Sequence, residues 1–290
     1  MASTDLISVG AAPLPDEEVQ METKTLREDW AEVLPLLKGS VPFEVNDAAV
    51  CVFRVGSHSH GTHVAPVAGG IDDTDLMVLV IPPIEFRLGL QQFEHSTYKQ
   101  GKWDVVIYDW GKFLRLVVKS NPNVLGCLFL AEEDCLVRTL FPAWSALMEG
   151  RDRLLSKRMY ASFMGYAAGQ RYKMEHTAAQ GYMGEKRKRL VEQFGYDCKN
   201  AAHLTRLMRM CVETLETGTL NVRRADAAEL VDIKKGRWSK ERVFEEADRL
   251  LERAESSLAA TTLPDAPDEA LIERVMIEGY KQHWGWRTTW

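Results

Sequence analysis

No stretch of this chain is apolar for long enough to cross a bilayer. The longest uninterrupted apolar run is Leu76–Pro83, far short of the roughly 18 to 20 residues that a spanning helix requires. The first twenty residues carry Asp5, Asp16, Glu17 and Glu18, with neither a basic start nor an apolar core, so they do not read as a secretory signal. Cysteine is scarce and unpaired in pattern. Cys51, Cys127, Cys135, Cys198 and Cys211 form an odd set without a CxxC, which fits a reducing cytosol and argues against both a disulfide framework and a structural zinc site. A cytoplasmic protein without a membrane partner is expected. Basic residues are not in surplus either: 36 Lys and Arg stand against 42 Asp and Glu, which argues against a generally basic nucleic-acid binder. Nor is there an internal repeat at a period of 20 to 50 residues.

What is present is an ordinary globular balance, 46% apolar and 27% charged over 290 residues, room for one large domain or two of common size. Residues 1–20 lack periodicity and read as a flexible tail. From Thr25, Leu26, Trp30, Val33, Leu34 and Leu37 fall at helical spacing until Gly39 and Pro42. Strand-like runs follow at Ala49–Val55, Leu76–Ile81 and Val105–Tyr108, each rich in Val, Ile or Phe. From Lys112 the pattern turns helical, with a break at Asn121-Pro122, and stays so almost to the end. Strands first and helices afterwards predict an α+β chain: a mixed sheet with flanking helices over residues 21–135, then a mostly helical domain over 136–290. Charge is uneven along it. Residues 151–210 hold 13 Lys and Arg but only 5 Asp and Glu, either a solvated helical surface or a receptor for a polyanion.

The most conspicuous string, Ser57-His58-Ser59-His60-Gly61-Thr62-His63, invites two readings. His58, His60 and His63 have the spacing of a histidine-zinc hydrolase, but Thr62 stands where that motif needs Asp. His60-Gly61-Thr62-His63 also resembles a subtilisin-type histidine segment, yet the only late Gly-Thr, Gly218-Thr219, is followed by Leu220, so no triad assembles. Polar loop chemistry is the simpler account.

A better constellation flanks that string. The strand Ala49–Val55 leads into Gly56-Ser57, and sixteen residues after Ser57 comes Asp73-Thr74-Asp75, opening the apolar strand Leu76–Ile81. At a strand's start, residues i and i+2 share a face, so Asp73 and Asp75 present paired carboxylates. Such a pair is costly to keep ionised unless a cation lies between its members, and oxygen donors suit Mg²⁺. Gly56-Ser57 offers a close backbone approach and a hydroxyl for phosphate. Asp104, opening Asp104-Val105-Val106-Ile107-Tyr108, fits a third carboxylate from a neighbouring strand.

Strand, Gly-Ser, spacer, Asp-x-Asp and a later strand Asp together resemble the DNA polymerase β-like nucleotidyltransferase superfamily. More narrowly, Gly56-Ser57 through His60-Gly61-Thr62, Asp72-Asp73-Thr74-Asp75-Leu76-Met77, Lys119-Ser120-Asn121-Pro122-Asn123, Gly195-Tyr196-Asp197, Ala201-Ala202-His203-Leu204 and Leu263-Pro264-Asp265 are similar to bacterial and phage predicted nucleotidyltransferases that include an RNA-repair-associated branch. The likeness runs from about residue 50 to 270. Asp109 departs from it, standing where Glu is common.

The resemblance implies that Asp73, Asp75 and Asp104 are catalytic and bind two Mg²⁺ or Mn²⁺ ions, while Gly56 and Ser57 hold an NTP. On a helix, Lys199, His203 and Arg206 share one face, and the resemblance adds them to the nucleotide site. The expected reaction transfers NMP from an NTP to an acceptor, RNA as the first choice, with release of pyrophosphate. Two alternatives are a nucleotide-binding or interaction protein of this fold without turnover, and a histidine-zinc hydrolase. Lys119–Asn123 would line the cleft or simply stop a helix. Gly184, Lys186 and Arg187 are weaker candidates for the site, and Trp284, Trp286 and Trp290 fit docking into the body better than base stacking.

Overall fold

The computed structural model describes residues 25–64, 72–138, 141–176 and 185–285. The N-terminal tail, Gly184, Trp286 and Trp290 lie outside them, as do the side chains of Lys186 and Arg187. Five strands build one sheet: β1 Ala49–Arg54, β2 Thr74–Val80, β3 His95–Gln100, β4 Trp103–Asp109 and β5 Cys135–Val137, in the order β3-β4-β2-β1-β5. β2 and β4 run parallel and every other pair is antiparallel, so the sheet is mixed, and with its many helices the chain is α+β as expected. β1 and β2 are buried on both faces over most of their length, which is why they read as continuous apolar runs rather than alternating ones.

β3 and β5 correct the sequence reading, which named three strands. β3 is a polar edge strand, His-Ser-Thr-Tyr-Lys-Gln, largely exposed and without an apolar face to betray it. β5 is only three residues long. Both are held by ladder hydrogen bonds to a neighbour and by partly buried side chains, Tyr98 of β3 and all three residues of β5, that pack on the edges of the cores.

The helices are α1 Leu26–Val33, α2 Val45–Ala48, α3 Glu85–Leu88, α4 Trp110–Val118, α5 Pro122–Leu125, α6 Pro142–Glu149, α7 Arg158–His176, α8 Glu185–Phe194, α9 Cys198–Thr217, α10 Ala227–Lys234, α11 Lys240–Ala260 and α12 Glu269–Trp284. Thr25 opens α1 with a reciprocal capping box to Glu28. One sheet face, with Val52, Leu76, Val78, Val80, Val105 and Ile107, packs on Leu26, Trp30 and Val33 of α1. The opposite face, with Cys51, Phe53, Met77, Leu79 and Ile81, packs on Trp110, Phe113 and Leu114 of α4, and that core continues into α7, α9, α11 and α12. Because side chains alternate along a strand, Asp73 and Asp75 belong to this second face, turned toward the helical half.

Several of the sequence landmarks are structural. Asp109 caps α4 through the Lys112 amide and accepts the Tyr280 hydroxyl at 2.7 Å, while burial raises its carboxyl. Asp197 caps α9, and the Tyr196 hydroxyl donates to the Trp238 carbonyl at 2.6 Å. Asn121 caps α5, yet Pro122 and Asn123 also face the cleft described below. Trp284 docks, donating to the Pro82 carbonyl at 3.0 Å and stacking on Tyr280. Much of the positive charge between residues 151 and 210 is taken up by later carboxylates. Arg153 pairs with Asp268, Lys157 with Asp265, Arg158 with Glu269, Arg171 with Asp248, and Arg209 with Asp226, Glu229 and Glu246. No helix among the described residues is long and apolar enough to cross a membrane.

Candidate active site

The parallel register of β2 and β4 sets Asp75 level with Asp104. β1 ends two residues before the loop that starts at Gly56, and the Val55 amide bonds the Asp75 carbonyl at 3.0 Å, which brings that loop over the carboxylates. Gly56 has φ +66°, and the Asp75 carboxylate fills the space that a side chain at Gly56 would need. Only glycine satisfies both conditions. Burial lifts the Asp75 carboxyl to about 6; Lys199 offsets part of this, and repulsion from Asp104, Asp73 and Asp72 adds to it. Across the antiparallel ladder, Lys99 of β3 faces Asp104, and its ammonium bridges Asp104 at 2.9 Å and Asp73 at 3.0 Å.

The histidines are parts of a folded turn. The Thr62 amide returns to the Ser57 carbonyl at 2.9 Å and the His60 amide to the Gly56 carbonyl at 3.3 Å. His58 and His63 stack with ring centroids 3.6 Å apart, and His63 Nδ1 lies 3.1 Å from the Ser57 hydroxyl. His60 turns away from them, its Nδ1 3.0 Å from the Val222 carbonyl. The three rings therefore do not converge. Burial holds His60 well below its ordinary pKa and His58 at about 4, so both are neutral at pH 7. The helical half grips this turn at two further points: the Arg224 amide on the His60 carbonyl at 3.2 Å, and Lys234 Nζ on the Thr62 carbonyl at 2.8 Å.

Lys234 also meets Asp72 at 2.9 Å, and both side chains are buried. Burial alone would raise the Asp72 carboxyl, but Lys234, the Val64 amide at 2.9 Å and Lys199 at 3.4 Å hold it below its ordinary value. This ion pair joins α10 to the residue directly before the Asp-x-Asp pair. Nothing in the sequence pointed to Lys234, which lies 162 positions away from Asp72 in an ordinary helical stretch.

These elements enclose a cleft of about 530 Å³. Gly56, Ser57, Asp75 and Asp104 line it, together with Lys199, His203 and Arg206 of α9. Asp73 reaches the same group through Lys99. Seven of the eight residues singled out from sequence thus line one space, and Asp73 stands beside it. The guanidinium of Arg206 is desolvated, with Arg224 nearby, and is pushed down to about 9. Its hydrogen-bond contact among the described residues is the Met210 sulfur at 3.4 Å, and the Asp226 carboxylate attracts it. Tyr166, Gln170 and Lys173, at i, i+4 and i+7 of α7, also line the cleft, together with Tyr108 of β4. Sequence reasoning missed these four, although Tyr108 follows Asp104 and Val106 at the strand period and was within reach of it.

The donor chemistry suits a hard divalent cation: carboxylates on one face of adjacent strands, two of them already sharing one positive charge. The side chains are gathered rather than closed. Among the described residues no three His, Cys, Asp or Glu groups converge tightly enough to hold a metal ion as they stand. Lys99 must move before Asp73 and Asp104 can share a metal.

A sheet with an Asp-x-Asp pair opening one strand, a third Asp level with it on the next, and a Gly-Ser turn above them defines a nucleotidyltransferase-type fold. The chain belongs to the RNA repair pathway DNA polymerase beta family, whose model matches residues 46–278. Among solved structures, a nucleotidyltransferase-like protein from Exiguobacterium sibiricum aligns over 90% of this chain and 77% of its own, at 10% identity and a TM-score of 0.28, too low to bear on the site or its chemistry. No curated protein matches the sequence.

Proposed function

We propose that this protein is a metal-dependent nucleotidyltransferase that moves NMP from an NTP to an acceptor and releases pyrophosphate, with RNA as the favoured acceptor. One observation carries the reading: Asp75 and Asp104 lie level on adjacent strands beneath the Gly56 turn, and the cleft that they line is also lined by Lys199 and by Arg206, a desolvated guanidinium that makes no hydrogen bond to a carboxylate among the described residues. Metal-binding carboxylates and cations around one cleft suit a triphosphate that must be neutralised by both. The family's description, an RNA repair pathway, supports RNA as acceptor.

In this reading Lys199 and Arg206 hold phosphate oxygens, and the Gly56-Ser57 turn approaches the triphosphate with its backbone. The Ser57 hydroxyl, steered by its contact with His63, is a further phosphate ligand. Asp73, Asp75 and Asp104 would hold Mg²⁺ or Mn²⁺. Two such ions, when bound, polarise the triphosphate, activate the acceptor oxygen and stabilise the leaving pyrophosphate. Asp104, the most outward of the three, orients the acceptor and takes up its proton. The transferred group passes directly between oxygens, and no protein nucleophile is required.

The test is incubation with each of four α-labelled NTPs, Mg²⁺ or Mn²⁺ and RNA, DNA or protein acceptors, repeated with Asp104→Asn. Label should enter an RNA acceptor, and Asp104→Asn should lower the rate by orders of magnitude. Equal transfer by folded Asp104→Asn refutes the site.

A further inference from the structure

Lys99 lies outside the set of residues that the sequence reading selected, yet its ammonium contacts two of the three carboxylates. Its place follows from the ladder. β3 pairs antiparallel with β4, so residue 99 stands directly across from Asp104, and the neighbouring parallel strand carries Asp73 within reach. The ammonium sits 2.9 Å from Asp104 Oδ2 and 3.0 Å from Asp73 Oδ2. Its side chain is 61% exposed, so it can swing into solvent without disturbing the core. Lys102, three residues on, is bound elsewhere, to Glu32 at 2.9 Å and over the Trp103 ring.

We propose that Lys99 is a resident cation that competes with divalent metal for Asp73 and Asp104, so that metal loads only as the ammonium is displaced. The inference rests on the reading of these carboxylates as metal ligands. An ammonium and a divalent ion cannot both use the oxygens that Lys99 holds. Without metal, Lys99 relieves the repulsion between the two carboxylates; with metal, it is released beside Asp104, where its charge is available to an incoming acceptor phosphate. Lys99 is thus a positioning residue that makes metal occupancy conditional on metal concentration.

The experiment is Mn²⁺ titration of the full chain without nucleotide, read by the loss of the free-ion EPR signal, for wild type, Lys99→Met, Lys99→Arg, Lys102→Met and Asp73→Asn. Losing a competitor that makes two charge-assisted hydrogen bonds should tighten Mn²⁺ binding by about tenfold or more in Lys99→Met. Lys99→Arg, which keeps a cation there, should stay near wild type, and Lys102→Met, which removes the same charge nearby, should change little. Unchanged affinity in Lys99→Met, or an equal gain in Lys102→Met, overturns the proposal. Asp73→Asn separates the two levels of argument. If it abolishes binding while Lys99→Met has no effect, the metal reading stands and the role of Lys99 falls; if it leaves Mn²⁺ affinity intact, Asp73 is not a metal ligand and both fall.

Discussion

Asp75→Asn should make the protein more stable and less active at once, and the size of the gain can be worked from the site. Burial, together with Asp104, Asp73 and Asp72, raises the Asp75 carboxyl from 3.8 to about 6 against the pull of Lys199. A carboxyl whose folded pKa exceeds its unfolded one keeps its proton in the native state after the unfolded chain has lost it. The native state then binds more protons, so this group's contribution to stability falls as pH rises from about 4 to about 6 and is level above that. At about 1.4 kcal/mol per pH unit, the full penalty above pH 6 is about 3 kcal/mol. Asparagine keeps the shape and never ionises. Thermal unfolding of wild type and Asp75→Asn without metal, from pH 4 to pH 8, should therefore give matching midpoints near pH 4 and a gap opening between pH 4 and 6. Above pH 6 the variant should lead by on the order of 5 °C. Taking the difference between variants cancels the opposite trend from His58, whose neutral form stabilises the protein above pH 6.5 and loses that effect as pH falls toward 4. Transfer should be lost in the variant. A midpoint at pH 7.5 equal to or below that of wild type, or a gap that ignores pH, refutes the reasoning.

Two other predictions concern cations of the helical half. Arg206→Met should weaken binding of NTP, and of tripolyphosphate alone, by about 10- to 150-fold for a lost charged hydrogen bond; calorimetry checks this, and thermal stability should not fall, since a desolvated cation beside Arg224 is removed. Lys234→Met strands Asp72 in a buried site and should cost about 3 kcal/mol, the low end for a broken buried pair because Lys199 remains. Adding Asp72→Asn should restore most of that loss in urea unfolding, whereas additive penalties would mean that the two side chains are not coupled.

What was legible in the sequence follows from how each feature is stabilised. β1, β2 and β4 announce themselves because their side chains enter a core, and the Asp-x-Asp pair is visible because it interrupts the start of such a strand. Gly56 was legible as a glycine that follows a strand and lets a phosphate approach the backbone; that its missing side chain also leaves room for Asp75 is visible only in the fold. β3 stayed hidden because it is a polar edge strand with a single side chain, Tyr98, packed on the core, and Lys99 was hidden with it. The Lys234–Asp72 pair joins positions 162 residues apart, and no periodicity reports a contact of that kind. The stripe of Lys199, His203 and Arg206 was predictable as one face of a helix, but what it faces was set by how α9 packs across the cleft.

The same packing explains where positive charge is left for a ligand. Counted along the chain, residues 151–210 look like one basic surface. In the fold, Arg153, Lys157 and Arg158 meet carboxylates that lead into or open α12, and Arg171 and Arg209 meet carboxylates near α10 and on α11. Those charges hold the helical half together and have little left to offer a polyanion. Arg206, one turn from Arg209 on the same helix, differs: it lines the cleft, is desolvated and hydrogen-bonds a thioether rather than a carboxylate, with Asp226 offsetting only part of its burial. A largely desolvated guanidinium is costly to leave in that state unless an anion completes it. An anion that enters the cleft would add to the pull of Asp226, and it must also tolerate Asp75 and Asp104. A bare carboxylate or sulfate gains nothing from that side. A polyphosphate carrying its own divalent cation satisfies both sets of side chains, with phosphate oxygens toward Arg206 and Lys199 and metal toward the aspartates. Binding of tripolyphosphate should accordingly strengthen when Mg²⁺ is added, and this gain should vanish in Asp75→Asn while Arg206→Met weakens binding with and without the metal.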